Sequence, residues 1–518
     1  MIKKILESNS GFFWFISIYL LVLYATRSFL FPSAGYVDSE QILFSQAFVL
    51  GYTTANPPLF TWLVIAAQQV FGVTILSVNV VKVALVFLTY ILFFKVACEV
   101  VADRRLAVLS SLSLLGIYYY AWEGLMNFSH SLTLVLCCVA VFYFLLRLEK
   151  KNNVLSYILL GLVIGLGFIA KYNFLLFLLT IMASSLCDRE MRKCLITPKI
   201  ALTFLVALVV ALPHLSWFLD DPHGIASVLA SKLRGDDVAV NSYWQGVGAG
   251  LVSLIKTTGN FLLPLVVGYV LFFFGAFKPL GNVIRSSGTL SGTPSSRYRN
   301  LLGRQILFIL IVLLVAVFAF GATQISTHYL LVLILFPIYF FSRVEAVGFN
   351  EKAVTRFASL MIFLALLVEV ALVGKFLVDP LRCKKCYFHI PFADFASELR
   401  QAGFVRGTIV SWSYPYRIGE NLRRYFPQSR IISNRAASFT PPLTEEAQGQ
   451  CLLIWDQDRA DAVGGLESLV TNEAVNRLGV VRDHGLPVHT ISRPMVMSDD
   501  RQIRFSYILF AQGSGNCR

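Results

Sequence analysis

The sequence predicts an all-α polytopic membrane domain of about eleven transmembrane helices, with amphipathic external helices, followed by a small α/β domain outside the membrane. Three observations carry this. The chain is 56% hydrophobic and only 14% charged over 518 residues, whereas soluble globular domains carry about a quarter charged residues. Apolar runs long enough to cross a bilayer, about 17–25 residues, recur as far as Val378. Beyond Val378 short helical and strand-like patterns alternate instead.

The apolar runs lie near 11–31, 74–98, 106–122, 131–147, 154–172, 173–187, 199–219, 248–277, 305–321, 328–342 and 357–378. Lys3 and Lys4 precede the first run, which continues past Tyr24 with no small-residue cleavage site, so no cleavable signal peptide is expected. The net charge of +14 would suit nucleic acid, but its distribution argues for membrane topology instead. With a cytoplasmic N-terminus, Arg104, Arg105, Arg147, Lys150, Lys151, Arg189, Arg192, Lys193 and the Arg residues of 278–304 all fall on the inside. The outside segments 32–73, 123–130 and 322–327 contain no Lys or Arg, and 220–247 contains only Lys232 and Arg234. Basic residues concentrate in cytoplasmic loops, so the orientation follows. An odd number of spans then places residues 379–518 outside, after a membrane domain of 1–378.

The external loop after the first span has its own structure. Asp38-Ser39-Glu40-Gln41 has the form of a capping box, predicting a helix with Asp38 as N-cap that reaches Leu50. Leu43, Phe44, Ala47, Phe48 and Leu50 would give it an apolar face lying in the membrane interface. Gly51 ends it, and Pro57-Pro58 opens a second short helix through Trp62 to Val70. Further along, 278–304 is rich in Gly, Ser, Thr and Arg and reads as a flexible linker. In the C-terminal part, 392–402 and 416–425 read as helices, and 407–412, 430–433, 451–455 and 504–511 as strands.

Several residues could carry chemistry. Asp38 and Glu40 follow the first span, where a carboxylate is costly near the bilayer. Asp38 is either an N-cap alone or also a general base held on a rigid helix start. Lys171 interrupts an apolar stretch at an external span end; it either snorkels or binds a lipid phosphate. His130, His214 and His328 share that membrane level and are interfacial hydrogen-bonders or line one cavity. No His-x-x-x-His spacing supports a metal site. Lys82 and Glu369 read as snorkelling or paired within the bundle. Cys383-Lys384-Lys385-Cys386 lacks the context of a redox motif, which favours a local structural disulfide.

Together, Asp38-x-Glu40-Gln41, Gly51-Tyr52 through Pro57-Pro58-Leu59, Ala170-Lys171-Tyr172, Pro213-His214-x-x-Trp217 and His328-Tyr329 resemble the bacterial branch of the GT-C glycosyltransferases. That branch is related to protein O-mannosyltransferases and to the lipid A aminoarabinose transferase. The resemblance covers most of 11–378. The tail, with Gly419-Glu420-Asn421-Leu422-Arg423, is similar to the lipopolysaccharide galacturonosyltransferase members. It implies inverting transfer of a sugar from a polyprenyl-phosphate donor to a lipid or glycolipid acceptor, on the periplasmic face of the inner membrane. Neither a cofactor nor a nucleotide sugar is implied. Asp38 would be the base and Glu40 would orient the acceptor. Lys171, with His328 and Tyr329, would hold the donor phosphate, while Asn56, Asn127, His130 and His214 line the cavity. The chain departs from the aminoarabinose transferase at Asn56-Pro57, where that enzyme has an acid and a Lys, and at Asn127, where it has an acid. A lipid or polysaccharide transporter is the alternative; it accounts less well for the external carboxylates, and no inverted repeat is visible.

Overall fold

A computed structural model describes residues 1–220, 242–277, 294–382, 386–412, 416–436, 439–462 and 487–510. Among these, seven helices are long and apolar enough to cross a membrane: Asn9–Leu30, Ile75–Val100, His130–Lys151, Ile200–Leu219, Tyr243–Phe277, Ser295–Phe320 and Glu351–Arg382. Thr327–Leu333 and Phe336–Val347 form a pair bent by 40°, an eighth span if taken as one. Residues 278–293 of the expected linker lie outside the described residues, and from Pro294 onward the chain is helical.

The other three expected spans are shorter than read. Val154–Phe168 and Phe174–Leu186 have 15 and 13 residues, about 20–22 Å of helix at 1.5 Å per residue. The first packs tightly on Ile200–Leu219. A Cβ on Gly161 would lie 2.5 Å from Thr203 O, and one on Gly165 2.6 Å from Val210 Cβ. Two glycines one helical turn apart thus let the backbones approach. The run 106–122 is not one span. Its helix, Arg104–Leu112, is capped by Asp103 and passes into a 3₁₀ turn, and Ile117 then becomes extended. Gly116 packs against Leu265 where a Cβ would stand 2.7 Å away, and the Ser110, Ser111 and Ser113 hydroxyls bond back to helix carbonyls, a habit that bends helices.

The described chain divides into two compact units. One comprises residues 1–21, 54–59 and 83–368; the other comprises 22–53, 60–82 and 369–518. The second unit holds a five-stranded sheet: β1 (Gly407–Trp412), β2 (Arg430–Ser433), β3 (Gln450–Asp456), β4 (His489–Met495) and β5 (Ser498–Phe510). The order is β2-β1-β3-β5-β4, with the first three parallel and β5 and β4 antiparallel. β4 is an element the sequence reading lacks, and the helix expected over 416–425 is only Ile418–Leu422.

The first-loop helix differs from expectation at both ends. It runs Tyr36–Phe44, its N-cap is Gly35, and Asp38 falls in its first turn without capping. Gly35 is required there because a Cβ would meet the Phe388 ring at 2.4 Å. The helix ends early because Arg423 satisfies its C-terminal groups. The guanidinium donates to Ile42 O and to Ser45 Oγ (2.9 Å) and O (3.3 Å), and burial pushes the pKa of Arg423 down to about 9. Leu43 and Phe44 do not lie in a membrane interface; they join a buried core with Phe395, Ile409, Leu452 and Phe505, while Phe48 stays exposed. The second short helix, Leu59–Phe71, forms as read. Cys386 and Cys451 are each part of a disulfide; Cys383, the partner expected for Cys386, lies outside the described residues.

Candidate functional site

In the second unit the first-loop helix brings Asp38 between two cations. Lys82 Nζ lies 2.6 Å from Oδ1 and Arg27 Nη2 donates to Oδ2 at 3.2 Å, with all three side chains fully buried. Arg27 comes from the first span and Lys82 from the second, so one carboxylate ties three helices. The Arg27 guanidinium is also placed over the rings of Phe31 (5.0 Å) and Phe388 (4.7 Å), a stabilising cation–π arrangement where water is excluded. Nε and Nη1 of Arg27 have no hydrogen-bond partner among the described residues. Of the pairing or snorkelling read for Lys82, it is pairing that occurs. Glu369 accepts a hydrogen bond from Thr26 Oγ1 at 2.5 Å.

Glu40, two residues on and therefore on a different face of the helix, stands differently. Its side chain is 25% exposed, and Oε1 lies 4.0 Å from Arg417 Nη2. Arg417 also donates to Glu420 Oε1 (3.4 Å), which accepts from Ser433 Oγ at 2.8 Å. Burial pushes the Glu40 carboxyl above the usual carboxylate range, while the Arg417 guanidinium pulls it back. Two cations face the oxygens of Asp38, whereas the Glu40 carboxylate is the more exposed of the two.

The tail motif locks this helix in place. Asn421 Oδ1 accepts from the Ala34 amide at 2.8 Å, and Arg424 donates to Pro32 O at 2.8 Å, alongside the Arg423 clamp.

In the first unit, Lys171 sits in the turn between two short apolar helices. Its Nζ donates to Ser131 Oγ at 2.7 Å and lies 3.3 Å from His328 Nδ1; Ser131 Oγ is 3.2 Å from the same nitrogen. An ammonium has only donors, so a hydrogen bond between the two has His328 Nδ1 as the acceptor. Phe128 packs on the imidazole at 4.8 Å. The Pro57-Pro58-Leu59 turn is joined to this segment, Leu59 N donating to Ile169 O at 3.0 Å. Asn56 is half-buried just before that turn, and Tyr329 is half-buried beside His328.

Two of the three histidines have different partners. His328 faces Lys171, whereas His214 Nε2 meets Tyr172 Oη at 3.1 Å and stacks on Trp217. His130 is buried and begins the His130–Lys151 helix. No group of three His, Cys, Asp or Glu able to hold a metal occurs among the described residues. Asn127 donates to Glu123 Oε2 at 2.7 Å, and Tyr118 Oη donates to Oε1 at 2.8 Å. Glu123 therefore supplies a carboxylate beside Asn127, and the sequence reading did not single it out.

Comparison with known proteins agrees with this architecture. The family model of dolichyl-phosphate-mannose-protein mannosyltransferases matches residues 55–217. The lipopolysaccharide core galacturonosyltransferase RgtB of Rhizobium johnstonii is 28% identical over 458 residues, 87% of this chain and 88% of that protein. RgtA of the same organism, also a lipopolysaccharide core galacturonosyltransferase, is 26% identical over 420 residues, 81% of each. The crystal structure of ArnT from Cupriavidus metallidurans bound to undecaprenyl phosphate superposes with a TM-score of 0.62, covering 96% of this chain and 98% of that one at 12% identity. The chain has the GT-C fold.

Proposed function

We propose that this GT-C glycosyltransferase moves a single uronic acid residue from a polyprenyl-phosphate donor to the lipid A–core region of lipopolysaccharide, on the periplasmic face of the inner membrane. The observation that carries the donor half is the Lys171–Ser131–His328 cluster. A fixed ammonium beside a hydroxyl suits a phosphate monoanion, and phosphate leaves readily once its charge is neutralised. The acceptor half is supported by the two galacturonosyltransferases, aligned over more than four fifths of their lengths.

In this reading the acceptor hydroxyl attacks the anomeric carbon from the face opposite the phosphate. The bond from that carbon to the phosphate oxygen breaks, and polyprenyl phosphate departs as an anion next to Lys171. Glu40 takes the acceptor proton. Asp38, expected in that role, instead holds the helix that carries Glu40, because both its oxygens are engaged by buried cations. His328 keeps Lys171 in place, with Tyr329 beside it. Asn56, Asn127, His130 and His214 shape the sugar cavity.

Replacing Lys171 with Ala is expected to raise the KM for a polyprenyl-phosphate sugar about 10-fold or more, the usual worth of a charge-assisted hydrogen bond, with Arg restoring part of it. Steady-state kinetics of the purified protein checks this; an unchanged donor KM in Lys171→Ala would remove Lys171 from the donor site. The orientation is checked by reporter fusions. Fusions after residues 150 and 190 are expected to read cytoplasmic and one after 400 periplasmic, and a cytoplasmic reading at 400 would reverse the proposed sidedness.

A further inference from the structure

The charged cluster around Tyr36 belongs to neither the donor site nor the Asp38 triad. β2, β1 and β3 run parallel, and α/β sheets bind ligands beyond the carboxyl ends of such strands. Arg417 follows β1 and Arg435 follows β2 at that edge. Both converge on Tyr36 of the first-loop helix. The Arg417 guanidinium stacks on the Tyr36 ring at 3.9 Å, and Arg435 Nη2 donates to Tyr36 Oη at 2.6 Å.

The burial of the two arginines differs in a telling way. The Arg417 side chain is 3% exposed and its Nε has no hydrogen-bond partner among the described residues. Its backbone is left-handed, φ 53° and ψ 55°, a conformation that non-glycine residues seldom hold without a use for it. Arg435 is exposed, and Tyr36 keeps 41% of its surface open. A rigid, buried arginine thus braces an aromatic ring, while a second arginine on that ring faces outward beside Glu40, whose carboxyl feels its charge.

We propose that Arg435 and Tyr36 form a receptor for a sugar carboxylate, with Arg417 as the positioning residue beneath it. A guanidinium binds a planar carboxylate in two-point fashion, and the tyrosine ring offers an amphipathic face to the pyranose. The inference rests on the proposed uronosyl transfer for its ligand class and deepens it, since the receptor stands next to the carboxylate assigned to take the acceptor proton. The carboxylate could belong to the donor sugar or to an acidic sugar of the acceptor.

The test uses the full chain in detergent, with free galacturonate, galactose and inorganic phosphate as probes in ligand-observed NMR titrations. Galacturonate is expected to bind roughly 10-fold or more tightly than galactose. Arg435→Gln is expected to abolish that preference, leaving galactose binding unchanged, and Arg435→Lys to keep part of it. Equal binding of galacturonate and galactose by the unmodified protein, an unaltered preference in Arg435→Gln, or phosphate displacing galacturonate at equal concentration would overturn the proposal. This readout needs no turnover, so it stands apart from failure of the transfer reaction itself. In the transfer assay, a raised KM for the donor alone in Arg435→Gln assigns the carboxylate to the donor sugar, and a raised KM for the acceptor alone assigns it to the acceptor; either supports the receptor, and a change in neither overturns it.

Discussion

Glu40→Gln is expected to slow sugar transfer by about 10²–10⁴, the usual contribution of a positioned general base, while the protein keeps its fold. Gln preserves the shape of the side chain and its contact near Arg417, and the side chain is partly exposed, so little packing is at stake. Only proton acceptance is lost. The pH profile adds a second signature. Burial raises the Glu40 carboxyl above its ordinary range, and a base must be deprotonated to act. The rate should therefore climb with pH through a value above that of an ordinary glutamate and then level off. That limb should vanish in Glu40→Gln. Full activity in the variant, or an unchanged profile, would return the base to another carboxylate.

Asp38→Asn is expected to act first on stability. The substitution leaves Arg27 and Lys82 buried with no counter-charge, and breaking a buried pair typically costs about 3–5 kcal/mol. Losing a helix cap would cost only about 1 kcal/mol, and Asn would replace that function nearly intact. Thermal unfolding in detergent separates the two outcomes. A strong loss of stability, partly restored when Lys82→Met is added, is the expected result. A variant as stable as the unmodified protein yet inactive would instead give Asp38 the chemical role.

The membrane helices were legible because burial in lipid demands long apolar runs, and most runs have helical counterparts at nearly the positions read. The misread stretch, 106–122, is mostly apolar, and neither the back-bonding of its serines nor the close packing of Gly116 on Leu265, a tertiary fact, shows in the hydrophobic pattern. The Asp38 cap failed for a related reason. Local pattern favours Asp at a helix start, but two cations distant in sequence recruit the side chain inward and Gly35 takes the extended cap position. β4 has no counterpart in the sequence reading, and its Pro494 is a residue that central strands exclude. The strand lies at the sheet edge with an irregularity at Pro494 and Met495, where proline is tolerated. Lys171 and His328 could be singled out as polar interruptions of apolar sequence, and the structure brings them together. Arg417 and Arg435 carry no periodic signal, since only the ends of two parallel strands place them on Tyr36.

The central claim is tested most directly by supplying the purified protein with polyprenyl-phosphate galacturonic acid and a lipopolysaccharide core acceptor in detergent, and following the acceptor's mass. Addition of one uronosyl residue, with inversion at the anomeric carbon and release of polyprenyl phosphate, is the predicted result. An acceptor left unmodified by this donor but modified by a nucleotide sugar would contradict the account, as would movement of the lipid across reconstituted vesicles with no transfer.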